Sequence, residues 1–221
     1  MKQIFQNIKL ILKTATPKKD VVDLLIKPVK GHLTDQTVKR LRKSQLLIGE
    51  KCGIIAREGN WLFVRTEDDT LGWTLQENIV EVDGGFSVKL SPKLRTFEFK
   101  MIDAKELYDF RGIPYVWGGR SPAGFDCSGF TQYIFKSFFD ISLPKHSWDQ
   151  RKYGVPAGTN NLKPLDLIFL LKKDDSGKHV GIYLDEGRLI HAAKAKGGVT
   201  VEDFNEILKR YDYVEARRLL K

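Results

Sequence analysis

Cysteine is nearly absent: Cys52 and Cys127 are the only two in 221 residues. That scarcity excludes a disulfide-stapled scaffold and a cysteine-rich zinc module, and it leaves open the chemistry of a single thiol. Proline, at 8 residues, is sparse and glycine, at 19, is ordinary, so a collagen-like or low-complexity chain does not fit either. Long hydrophobic runs are missing, which argues against a membrane-spanning chain. Acidic residues are outnumbered, 28 against 37 basic ones, giving a net charge of +9. Such a charge suits an anionic surface, whether nucleic acid, lipid headgroup or wall polymer, and does not choose among them. With 42% apolar residues the chain has ample material for a buried core.

The first twenty residues, MKQIFQNIKLILKTATPKKD, set Lys2 before a partly apolar stretch. Lys9 and Lys13 interrupt that stretch and no small-x-small site follows before Pro17, so it does not read as a secretory signal. The expectation is a cytoplasmic protein, with a periplasmic or extracellular one as the alternative. Ile4, Ile8, Ile11 and Leu12 fall on one helical face opposite lysines. The stretch therefore reads as a helix packed on its own domain, or alternatively as one lying on a membrane surface without stable insertion.

Residues 21–86 form short apolar runs cut by turn signals at Glu58-Gly59-Asn60 and Asp68-Asp69, with alternation over Trp61-Leu62-Phe63-Val64-Arg65. This is the pattern of a small antiparallel β-barrel. Residues 87–102, punctuated by Pro92, read as a linker, and residues 103–221 as a second domain. There Asp103 is placed to cap a short helix over Ala104 to Phe110, and a longer amphipathic helix runs from Cys127 to Phe139. Strand patterns follow at Leu167–Leu171, Val180–Leu184, Arg188–Ala192, Val199–Glu202 and Val214–Leu219. Helices followed by a run of strands predict an α+β fold.

Cys127 stands in GFDCSGF at the start of the longer helix. Unpaired N–H groups and the helix dipole favour an anion there, so the thiol is expected to ionise more readily than a free cysteine. Asp126 fits the helix cap. On this feature alone Cys127 also reads as a small buried residue. A nucleophile needs a base, and the chain has four histidines: His32, His146, His179 and His191. His179 and His191 lie in two strands joined by Asp185-Glu186-Gly187. If those three residues form the hairpin loop, Gly181 opposes His191 and the two imidazoles are diagonal neighbours on one face; a two-residue loop would separate them. The first geometry supplies a base and a residue that orients it. A metal site is the weaker reading, because no carboxylate or cysteine stands at ligand spacing. His32 and His146 have no partner pattern, and Cys52 reads as packing.

The ordered motifs YVWGGRSPAGFDCSGF, LPKHSWDQ, KPLDLIFL, KHVGIYLDEGRLIHAA and YVEARRLL resemble the NlpC-type cysteine peptidases of bacterial cell walls. The resemblance implies a papain-like fold in which Cys127 attacks, His179 is the base and His191 the polar third member. It implies hydrolysis of peptidoglycan stem peptides between D-γ-glutamate and the following diamino acid, with no cofactor and no metal. The segment LLIGEKCGIIAREGNWLFVRTEDDTLGWTLQENI resembles a bacterial SH3-type domain through Gly49-Glu50, Trp61 and Gly72-Trp73. That pairing resembles the subgroup acting on peptides with a free N-terminal L-alanine, in which Asp126 and Ser128 would hold the amine and Tyr115 and Ser147 would line the site. The chain departs from the pattern at Lys145, where arginine is usual, at Leu165, where glycine is usual before Asp166, and at Thr70-Leu71, where an aromatic often stands.

The expected partners are therefore peptidoglycan-derived peptides. Nucleic acid is not expected, because no stretch interleaves basic residues with exposed aromatics. The rival readings are an amidase or acyltransferase using the same Cys-His apparatus, and a catalytically idle wall-binding protein.

Overall fold

The computed structural model describes residues 9–91, 93, 96, 104–174 and 177–221, which form two compact units divided between Leu90 and Ser91. In the first unit the strands are β1 (Lys9–Pro17), β2 (Val21–Leu25), β3 (Arg42–Leu47), β4 (Cys52–Glu58), β5 (Trp61–Thr66), β6 (Leu71–Leu75) and β7 (Ile79–Val82), with one helix, α1 (Asp35–Leu41). They make a sheet in the order β3-β2-β6-β5-β4-β1-β7, antiparallel at every pairing. Its core holds Val22, Leu24, Leu46, Cys52, Ile54, Leu62, Val64 and Ile79. The Cys52 thiol is packed there, and burial pushes its pKa up to about 12.

Where the helix expected over the first residues enters the described part of the chain, a strand forms instead. Lys9–Pro17 is a strand lying between β4 and β7, with Ala15 opposite Cys52 and fully buried. Two antiparallel partners outweigh a helical spacing of apolar residues, because ladder hydrogen bonds and burial are tertiary gains that local periodicity does not register. Ile4 and Ile8 lie outside the described residues, as do Asp103 and most of 92–102, where the cap and the linker were expected.

The second unit opens with a 3-10 turn over Ala104–Phe110 and a two-stranded ribbon, β8 (Arg120–Ser121) and β9 (Gly124–Phe125). Helix α2 (Cys127–Phe139) follows, with the bounds its apolar periodicity predicts, and then the single turn α3 (Ser147–Gln150). The remaining elements are β10 (Val155–Ala157), β11 (Leu167–Lys172), β12 (Lys178–Tyr183), β13 (Arg188–Ala193), β14 (Gly198–Asp203), α4 (Phe204–Leu208) and β15 (Tyr211–Arg218). The six strands form an antiparallel sheet in the order β10-β15-β11-β12-β13-β14, and α2 packs against β12 and β13. The unit is α+β, as the pattern predicts.

Aromatic rings fix the start of α2. Phe125 lies 5.4 Å from Phe130 and 5.3 Å from Tyr133, and Phe110 lies 5.9 Å from Phe130. Below, Arg218 holds Asp166 with two hydrogen bonds, of 2.8 and 2.7 Å, tying β15 to the approach of β11. The residue before Asp166 explains why glycine is usual there: Leu165 has φ +74°, the left-handed region. That conformation costs about 1–2 kcal/mol in a residue with a Cβ. Leu165 is 5% exposed, and burial of its side chain contributes about 1.5–3 kcal/mol, enough to offset the strain.

Candidate active site

The chain turns sharply into α2. Asp126 has extended backbone, and its Oδ1 accepts from the Gly129 N–H at 2.6 Å, the expected cap. Gly129 has no room for a side chain, since a Cβ there would stand 2.0 Å from the Gly119 carbonyl oxygen. That approach seats the first turn of α2 on the 118–120 segment. Cys127 is the first residue of the helix and is half-buried. The Val180 and Ser128 N–H groups interact with its sulfur, so the thiol sits against β12 beside His179.

His179 and His191 meet as the three-residue loop predicts. Ile182 opposes Ile190 and Tyr183 opposes Leu189, a register that sets Gly181 against His191. A Cβ on Gly181 would stand 3.1 Å from the His191 Cβ. His179 Nε2 lies 2.6 Å from His191 Nδ1, with ring centroids 4.9 Å apart. The bond occupies Nε2 of His179 and leaves Nδ1 as the nitrogen available to a proton donor.

The ionisation of the site differs from the sequence expectation. The Cys127 thiol is pushed up to about 12, not down. Burial of the sulfur is the largest cause and the Asp126 carboxylate the next; the Lys145 ammonium and the two N–H groups pull the other way and lose. A helix terminus favours an anion by a modest, local amount, while desolvation acts on the whole charge. His179 is driven well below the ordinary imidazole range by burial first and by His191 second. At rest the pair is thiol and neutral imidazole.

The residues named for substrate binding are distributed unevenly. Tyr115 is half-buried on the segment paired with Phe125 and Gly197, and its phenol is raised by burial and then by nearby Cys127 and Asp126. Asp126 and Ser128 are already occupied. Lys145 Nζ lies 2.6 Å from Asp126 Oδ2 and 3.0 Å from Ser128 Oγ, while the Gly118 N–H donates to Oδ2 and the Ser128 hydroxyl to Oδ1. Ser147 is buried at the start of α3. Among the described residues, no group of three or more His, Cys, Asp or Glu side chains converges to hold a metal ion.

Sequence reasoning missed four participants. Gln150 ties α3 to α2, donating to the Ser128 and Pro144 carbonyls and accepting from the Thr131 hydroxyl at 2.8 Å. Lys145 is the buried counter-ion of Asp126. Tyr211 stacks on His179 at 5.2 Å. Glu202 reaches His191 Nε2 at 3.0 Å. Of these, Glu202 left a readable signal, because it lies in a predicted strand next to that of His191, and Lys145 showed only as a departure from the usual arginine.

Residues 112–218 match the model of the NlpC/P60 family. The chain belongs to the NlpC/P60 family. Among its relatives, "Murein DD-endopeptidase MepS/Murein LD-carboxypeptidase" of Escherichia coli is 34% identical over 58% of this chain and 66% of its own length. "Gamma-D-glutamyl-L-lysine dipeptidyl-peptidase" of Bacillus cereus is 39% identical over 50% of this chain and 34% of its own length. The chain thus spans about two thirds of the first and a third of the second. A crystal structure of an NlpC/P60 family protein from Bacillus cereus shares the fold, with a TM-score of 0.73 at 20% identity, covering 94% of this chain and 100% of that one. Both of these relatives are named as peptidases.

Proposed function

We propose that the second unit is a cysteine peptidase hydrolysing the bond between D-γ-glutamate and the following diamino acid in peptidoglycan stem peptides. The observation that carries this reading is the coupled imidazole pair beside a thiol at the first turn of α2. As the Cys127 sulfur attacks the γ-glutamyl carbonyl, its proton passes to His179 Nδ1, so the step starts from two neutral groups. The imidazolium then gives that proton to the departing amine, leaving a thioester. Water, deprotonated by His179, hydrolyses the thioester and restores the thiol. The Cys127 N–H at the helix start is the donor assigned to the oxyanion. His191 holds the His179 ring in place, and Tyr115 and Ser147 are assigned to the substrate.

On the amino-terminal side the proposed substrate carries a free L-alanine, whose ammonium would bind Asp126 and Ser128, with the seven-stranded first unit as the SH3-type module of such enzymes. One observation favours a second reading, an N-acylated stem as in intact wall: Lys145 already holds both Asp126 and Ser128, so a second cation would have to compete with it. Mass spectrometry of L-Ala-γ-D-Glu-diaminopimelate and its N-acetylated form, incubated with wild type and Cys127→Ala, tests both. Release of the diamino acid from the free peptide by wild type alone supports the first reading, and equal cleavage of both peptides the second. Full activity of Cys127→Ala, or no cleavage of either peptide, overturns the proposal.

A further inference from the structure

His179, His191 and Glu202 occupy one face of three adjacent strands, β12, β13 and β14. His191 opposes Thr200 and Leu189 opposes Glu202, so Glu202 is the diagonal neighbour of His191 on the side away from His179. The three side chains form an unbroken file, 2.6 Å between the imidazoles and 3.0 Å from His191 Nε2 to Glu202 Oε1. Arg210 and Lys196 close it, at 2.8 and 3.1 Å from Glu202 Oε2.

We propose that Glu202 is a positioning residue that fixes the protons of both imidazoles, so that the Nδ1 lone pair of His179 remains available to the Cys127 thiol. This inference rests on the reading of Cys127 as nucleophile and His179 as base. An ionised carboxylate only accepts hydrogen bonds. Its contact with His191 therefore requires a proton on His191 Nε2, and with one proton on that ring Nδ1 keeps its lone pair. The 2.6 Å contact must then be filled by the proton of His179 on Nε2. A neutral His179 carrying its proton there has Nδ1 free to accept. The opposite assignment, with a proton on His191 Nδ1, would set two lone pairs face to face at Glu202 and turn the His179 proton toward the sulfur, abolishing the base.

The same file acts on charge. Glu202 is held ionised by His191, Arg210 and Lys196, which keep its carboxyl well below the usual range. When His179 becomes an imidazolium, that carboxylate favours the new charge and Arg210 opposes it. Tyr211 from β15 also faces the ring, and the Cys127 sulfur, held by the Val180 N–H, lies beside His179 on the α2 side. A purely structural Glu202, pinning Arg210 and Lys196, would influence stability and leave the tautomers and the pH profile where they are.

The test uses the full chain in two measurements. Nitrogen-15 NMR of the imidazoles in Cys127→Ala at neutral pH should find both His179 and His191 protonated on Nε2, with mixed tautomers once Glu202→Gln is added. In the otherwise wild-type enzyme, Glu202→Gln should lower kcat/KM by about 10–100-fold, the range for partners that orient a functional histidine. Its acid limb should move to lower pH, because the carboxylate that favours the imidazolium is gone. A proton on His191 Nδ1, or unchanged kcat/KM with an unmoved acid limb, overturns the inference. The NMR arm needs no substrate: expected tautomers without peptide cleavage reject the peptidase reading alone, and cleavage with the wrong tautomers rejects the relay alone. If Glu202→Gln fails to fold, the tautomers of Cys127→Ala decide.

Discussion

Lys145 and Asp126 form an ion pair taken out of water at the lip of the nucleophile, with both side chains 7% exposed and 2.6 Å between Nζ and Oδ2. Replacing Lys145 with methionine keeps the length and removes the charge, leaving a buried carboxylate without its counter-ion. Breaking such a pair from one side costs about 3–5 kcal/mol. Asp126 retains three donors, from Gly118, Ser128 and Gly129, which places this variant at the lower end, about 3 kcal/mol. That is about a hundredfold in the opening equilibrium. Amide hydrogen exchange read by mass spectrometry over peptides covering residues 120–135 should show protection falling by that factor. Asp126→Asn in the same chain should restore part of it, because asparagine still caps α2 and no unpaired charge remains, although its Nδ2 cannot accept from the Gly118 N–H. Protection equal to wild type in Lys145→Met, or a double variant no better protected than the single, would refute the reasoning.

Gly181→Ala should damage turnover more than folding: its Cβ would lie 2.8 Å from Leu189 Cδ2, which can rotate, and 3.1 Å from His191 Cβ, which cannot without carrying the imidazole away from His179. The check is kcat/KM against the urea midpoint, and equal proportional losses would contradict it. A pH series tests the buried imidazole. His179 titrates below its ordinary value in the fold, so below about pH 6.5 the unfolded chain binds a proton that the folded chain refuses, and stability falls as pH falls, by up to about 1.4 kcal/mol per unit. His179→Gln should flatten that slope between about pH 6.5 and 5, a window above the one in which Glu202, lowered in the fold, would lose its stabilising charge. Identical slopes in variant and wild type would show that burial of His179 carries no such cost.

What was legible in the chain followed local pattern. The bounds of α2 could be read because Asp126 caps it and its apolar residues keep a helical period, and the meeting of His179 with His191 could be read once a loop length was assumed. The misreadings arise where a distant partner decides. Lys9–Pro17 pairs with strands more than thirty residues away, and nothing in its own spacing announces them. The Cys127 thiol looked easily ionised from its place on a helix, yet its pKa is set by what surrounds the sulfur, including the β12 backbone. Lys145 was visible only as a departure from arginine; that its charge is spent on Asp126 depends on a separation of 19 residues folding to 2.6 Å.

The proton file runs across the strands, one member per strand, so its continuity is a property of registration. Inserting one residue into the 185–187 turn or the 194–197 turn would slip a strand by one position and send its member to the opposite side of the sheet. Apart from Lys196, which closes the file, and the left-handed Gly187 and Gly197, the composition of those turns is free to drift while their lengths are not. An enzyme arranged this way can change what it shows to solvent at both hairpins and keep its chemistry, provided the residue tally of each turn stays the same.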